Sequence, residues 1–127
     1  MKEATQKLLE KAAQAVHTSE RSLEDGDIDA SANRVYYAMF YVAEALLNER
    51  DLRFKKHGGV HAAFGEQFAK TGVLDSKYHR WLLQAFNKRV SADYETEAQL
   101  RSEDIQELIQ QAHEFLKTAQ NYLAGQP

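Results

Sequence analysis

The residues whose types and spacing come closest to chemistry lie in the stretch RVSADY: Arg89, Asp93 and Tyr94. Arg89 continues an apolar stripe, because Leu82, Ala85, Phe86 and Arg89 recur three or four residues apart and share one helix face. An arginine there has three readings: a long side chain leaving the core for water, the partner of a nearby carboxylate, or part of a site. Asp93 lies one helical turn further on, within reach of an ion pair. A half-buried guanidinium needs such a partner, since an unpaired buried charge is costly. Read from chemistry alone, Arg89 and Asp93 lock the end of a helix, with Tyr94 packed beside them. No nucleophile–base pair is visible around them.

His57 and His61 are four apart in HGGVH, a spacing that can hold a metal. No third ligand stands nearby and the glutamate of H-E-x-x-H is missing, so capping or surface histidines are the favoured reading and no metal or cofactor is expected. His17, His79 and His113 are scattered. Arg50, Arg53, Lys55 and Lys56 sit beside Phe54 and a histidine, a composition that can touch phosphates, although charged loops are usually just solvated. Tyr36, Tyr37 and Tyr41 read as core and interface, where rings with a polar tip are favoured, and they suggest a homodimer.

These residues must be positioned by helices. Helical periodicity runs from about Ala4 to Leu23, and the turn EDGDID ends it, with Gly26 as a C-terminal cap and Asp27 or Asp29 as the next N-cap. The strongest pattern is ASANRVYYAMFYVAEALLNE, where Ala32, Val35, Tyr36, Met39, Ala43, Leu46 and Leu47 follow one stripe. Tyr37 and Tyr41 add a second strip, so this helix is expected to be buried on two sides. RDLRFKKHGGV reads as a basic, glycine-containing connection. A short helix with Val60, Ala63, Phe64 and Phe68 follows and stops at Gly72. A fourth helix spans about Ser76 to Tyr94 and carries Trp81. The last opens with Ser102 as N-cap and an acidic first turn, Glu103 and Asp104, and continues through Tyr122. The expected fold is all-α, an antiparallel up-and-down bundle of four long helices plus a short one.

Composition agrees. The chain has 127 residues, 43% hydrophobic and 28% charged, which suits one domain over 1–127 with an ordered core at about 5–123. Its one proline is the last residue, so nothing inside is forced to break a helix. The absence of cysteine excludes disulfides and thiolate metal sites and fits a reducing cytoplasm. The charge-rich N-terminus does not read as a signal peptide, and the longest apolar run, Val35 to Leu47, is too short to span a bilayer. A net charge of -3 argues against a broad basic nucleic-acid surface while leaving room for a local one.

The order of DGDIDASANRVYYAMFYVAEALL, KKHGGVHAAFGEQFAKTG, RVSADY and a final amphipathic helix resembles the HEPN family of small prokaryotic helical proteins. The closest likeness is to a branch with YYA-x-F, H-x-G-V and R-x-x-A-D-Y, and it covers about residues 5 to 123. The resemblance implies an up-and-down bundle, usually dimeric. Many HEPN proteins are metal-independent endoribonuclease toxins whose site is an arginine followed after four to six residues by a histidine. Such a histidine moves protons near neutral pH while the arginine holds the scissile phosphate.

Arg89 matches that arginine, but Tyr94 stands at the first position open to the histidine, and a phenol near its ordinary pKa of about 10 is a poor base. Other HEPN proteins bind a minimal nucleotidyltransferase, which in some pairs transfers AMP to a tyrosine beside the motif. The resemblance therefore implies an interaction module of a toxin–antitoxin-like pair. It would bind a nucleotidyltransferase partner, and RNA or nucleotide through Arg89 and Asp93, without catalysis of its own. The alternative is a ribonuclease with a degenerate site in which Arg89 and Tyr94 are catalytic, or in which a histidine such as His57 or His61 is borrowed in space.

Overall fold

The computed structural model describes residues 1–94 and 100–125, with side chains given for residues 1–90 and 100–125. Among them the chain is all-α. Its helices are α1 (Glu3–Glu24), α2 (Ile28–Glu49), α3 (His57–Phe64), α4 (Lys77–Tyr94) and α5 (Ser102–Leu123), and a π-helical turn, Gly65–Ala69, continues α3.

The turn between α1 and α2 is built from its sequence. Gly26 takes φ +80°, a conformation that costs glycine little. The Asp27 and Gly26 amides then reach back to the carbonyls of Ser22 and Leu23, at 2.9 and 3.0 Å, closing the last turn of α1. The Asp27 side chain in turn accepts from the Ala30 amide at 3.1 Å and caps α2. So short a turn makes α1 and α2 antiparallel neighbours, and polar contacts mark both ends of the pair. Ser19 and Ser31 exchange hydroxyl-to-carbonyl hydrogen bonds at 2.9 and 2.8 Å near the turn. At the far end the Asn48 amide donates to Thr5 Oγ1, and that hydroxyl donates to Glu49.

Helix α2 is the centre of the molecule and touches α1, α3, α4 and α5. Ala32, Val35, Tyr36, Met39, Val42, Ala43, Leu46 and Leu47 are all buried, which explains why its apolar pattern is the widest in the chain. The core is completed by Phe64, Phe68, Leu82, Ala85, Ile105, Leu108 and Phe115.

Two sequence expectations need correction. The short helix begins at His57 and not near Val60, so the histidine and both glycines of HGGV are helical and lie outside the connection. The glycine that matters there is Gly59, whose absent Cβ leaves room for Phe54: a Cβ would stand 3.1 Å from that of Phe54. The last helix starts at Ser102, with Arg101 as its cap residue and Asp104 accepting from the Arg101 amide at 3.1 Å. No helix among the described residues is long and apolar enough to cross a membrane.

Candidate functional site

Three helices bring their distinctive residues to one place. Helix α2 supplies Tyr36, Tyr37 and Phe40, the first turns of α3 supply His57 and His61, and the C-terminal half of α4 supplies Phe86 and Arg89. The i,i+4 spacing that suggested a metal pair puts both imidazoles on one face of α3. What lies between them is a tyrosine. The Tyr36 hydroxyl is 3.0 Å from His57 Nδ1 and 2.7 Å from His61 Nε2.

Aromatic rings wall this cluster. The Phe40 ring centroid is 4.4 Å from that of His57, and Phe86 is 5.0 Å from His61. Tyr36 and His61 are buried, whereas His57, Tyr37 and Arg89 are half-buried at its edge. The Arg89 guanidinium carbon stands 5.7 Å from the centre of the Tyr36 ring and 5.4 Å from that of Tyr37, a cation–π arrangement. The arginine that continued an apolar stripe is thus laid against two tyrosine faces.

The electrostatics follow from that burial. Burial, reinforced by the neighbouring His57 and His79, pushes His61 down to about 4, so it is neutral at physiological pH. His57 is also pushed below the usual histidine value, by burial first and by the Arg89 charge second. Burial drives the Tyr36 phenol well above its ordinary range, so it remains an O–H donor. The result is a set of neutral hydrogen-bonding groups beside the fixed positive charge of Arg89, with a second, that of Arg34, 4.9 Å from the centre of the Tyr37 ring.

A second layer supports α3. His79 of α4 donates from Nε2 to the His61 carbonyl at 3.1 Å. Its ring lies so close to α3 that a Cβ on Gly65 would be 2.6 Å from it.

The other candidates separate. His61 is neither capping nor on the surface, a correction that follows from the buried Tyr36 hydroxyl it satisfies. No group of three or more potential metal ligands occurs among the described residues. His113 instead pairs with Glu20 at 3.3 Å. The basic stretch divides. Arg50 hydrogen-bonds the Gln67 carbonyl and the Tyr122 hydroxyl and covers the Phe68 ring at 4.2 Å, and Arg53 holds Asn48 at 2.8 Å. Lys55 and Lys56 are exposed. The backbone of Asp93 and Tyr94 closes α4, but their side chains, and with them the proposed Arg89–Asp93 pairing, lie outside the described residues.

Sequence reasoning missed Tyr36 as the hub. The signal was available: a tyrosine on the most buried stripe must find partners for its hydroxyl, and an i,i+4 histidine pair can provide them.

A small all-α bundle with an arginine near the end of its fourth helix and an imidazole–phenol cluster against it defines the class. The chain belongs to the HEPN domain family, whose family model matches residues 5–122. Among its relatives is a Methanocaldococcus jannaschii protein named "Putative toxin MJ0142", 34% identical over 96% of this chain and 83% of the relative. A Gloeobacter violaceus protein named "UPF0332 protein glr0978" is 34% identical over 94% of this chain and 95% of its own length. A Thermotoga maritima "UPF0332 protein" is 35% identical over 74% of this chain and 71% of its own. These likenesses make the chain a toxin-related HEPN module.

Proposed function

We propose that this chain is the HEPN member of a cytoplasmic toxin–antitoxin-like pair. It acts as a homodimer that takes a phosphate of RNA or nucleotide at Arg89 and docks a minimal nucleotidyltransferase. The observation that carries this reading is the placement of Arg89, its guanidinium set against Tyr36 and Tyr37 at the site's edge. A planar fork of donors suits a phosphate, and Asp93, four residues on, would orient it. With Tyr94 in place of the family's histidine, this function is one of binding.

The test is binding of 2′-O-methyl RNA and of nucleotides, followed by fluorescence anisotropy, to wild type and Arg89→Ala, with sequencing of the adjacent reading frames for a minimal nucleotidyltransferase and co-purification with its product. Binding lost in the variant and a stable complex with the enzyme are expected. Equal binding by both proteins would remove Arg89 from the ligand site, and failure to co-purify would remove the partner.

One observation favours the second reading, a metal-independent endoribonuclease toxin: the tertiary fold supplies a neutral histidine, His57, close enough to Arg89 to feel its charge.

A further inference from the structure

We infer that the cavity between α1, α2 and the start of α3, with the basic loop over residues 50–56 at its rim, docks an acidic segment of a partner protein through one buried tyrosine. The inference goes beyond the reading above, since it neither uses Arg89 nor requires RNA.

The cavity has a volume of about 150 Å³ and is walled by Leu8 of α1, Leu47 of α2, Val60 of α3, and Leu52 and Phe54 of the loop. That is room for one six-membered ring among apolar side chains. Phe54 is packed over Gly59 yet leaves 41% of its own surface exposed. Single exposed apolar residues are ordinary, but this one stands at the mouth of an apolar cavity.

One part of the wall is not apolar. Glu44 of α2 also lines the cavity, and none of the hydrogen bonds or ion pairs among the described residues reaches it. Asn48, one turn further along α2, is already engaged by Thr5 and Arg53. Burial raises the Glu44 carboxyl above its ordinary value, an effect that the Lys11 charge opposes. The Lys11 ammonium itself lies over the Tyr41 ring, 4.6 Å from its centre. A half-buried carboxylate of this kind gains from a donor carried in on the ring that fills the cavity, and a tyrosine hydroxyl is such a donor. Tyrosine is also among the residues that dominate interface energies.

The rim sets the charge of the partner. Residues 50–56 carry Arg50, Arg53, Lys55 and Lys56 against the single carboxylate of Asp51, on a chain whose net charge is -3. Asp51 pairs with Lys2 and Arg53, whereas Lys55 and Lys56 are exposed and enter no ion pair among the described residues. Acidic residues on either side of the tyrosine would meet these two lysines, which speeds encounter and fixes orientation. A nucleic acid fits the place less well. A base seeks a flat aromatic face to stack on, and four of the five apolar walls are aliphatic.

The test is fluorescence anisotropy of the full chain with short labelled peptides that carry one tyrosine between glutamates, between serines or between lysines. At low salt the glutamate peptide is expected to bind about tenfold or more tighter than the lysine peptide, and the double variant Lys55→Glu, Lys56→Glu should abolish that order. Replacing the peptide's tyrosine by phenylalanine should weaken binding to wild type about tenfold and make no difference to Glu44→Leu. The wild-type half of that comparison stands even if Glu44→Leu folds poorly. Equal binding of the three peptides, or none, would overturn the proposal, as would equal binding of the tyrosine and phenylalanine versions by wild type. So would displacement of the peptide by an equal concentration of p-cresol, which would make the cavity a site for a free small phenol. Displacement by 2′-O-methyl RNA would assign the loop to nucleic acid and overturn it too.

Discussion

The Tyr36 hydroxyl sits 2.7 Å from Nε2 of His61, joining two buried side chains of α2 and α3 that are twenty-five residues apart in the chain. Removing that one oxygen by Tyr36→Phe leaves a buried imidazole nitrogen without its partner. The expected loss is about 1–3 kcal/mol of stability. Urea denaturation of the two proteins measures it, and an unchanged midpoint would mean that the hydroxyl bond contributes nothing.

The same burial creates a pH dependence. A histidine whose folded value lies at about 4, below its ordinary 6.5, binds its proton more weakly in the folded than in the unfolded chain. Unfolding then takes up protons, so the stability is fully present above pH 6.5 and is lost as pH falls through the window from 6.5 to about 4. His61 should account for roughly 3 kcal/mol across it. Chemical denaturation at a series of pH values, with His61→Gln as control, should show a slope smaller by about one proton in the variant. Equal slopes would place the titration elsewhere.

Gly65 and His79 form a pair with a reversible clash. Gly65 has ordinary helical backbone angles, φ -59° and ψ -45°, so alanine there would normally be favoured. The added Cβ would instead meet the His79 ring at 2.6 Å. Gly65→Ala is therefore expected to destabilise by about 1–3 kcal/mol. In a His79→Ala background the same change should be neutral or stabilising. A double-mutant cycle by thermal unfolding tests this, and additive effects would mean that the ring moves aside without cost.

Arg89→Ala should keep the fold and lose about 1 kcal/mol, the worth of a partly desolvated cation–π contact. Arg89→Lys keeps the charge but loses the planar fork, and should bind phosphate-bearing ligand with intermediate strength. Thermal unfolding and sedimentation read the first effect, and ligand anisotropy the second. A far larger loss of stability, or dissociation of the assembly, would instead make Arg89 a structural lock at a subunit contact.

Helix existence was legible in the sequence because a 3.6-residue apolar period survives in every long segment, and the Gly26–Asp27 turn declares itself by residue type. Arg89 too was legible, as a cation on an apolar stripe. The start of α3 was not. Two adjacent glycines read as a connection, and only the tertiary structure shows Phe54 packed over Gly59, where a side chain would crowd it.

The site divides in the same way. The chain by itself determined which side chains line the faces of the long helices, with Tyr36 on the main stripe of α2 and Tyr37 on a second strip, because those relations depend on local spacing alone. Only the tertiary structure decided that Tyr36 would join the two imidazoles and that Arg89 would lie against Tyr36 and Tyr37. Those contacts span twenty-one to fifty-three residues of sequence. They follow from α2 being packed between α3 and α4, and no periodicity within a single helix encodes which neighbours its buried face will meet.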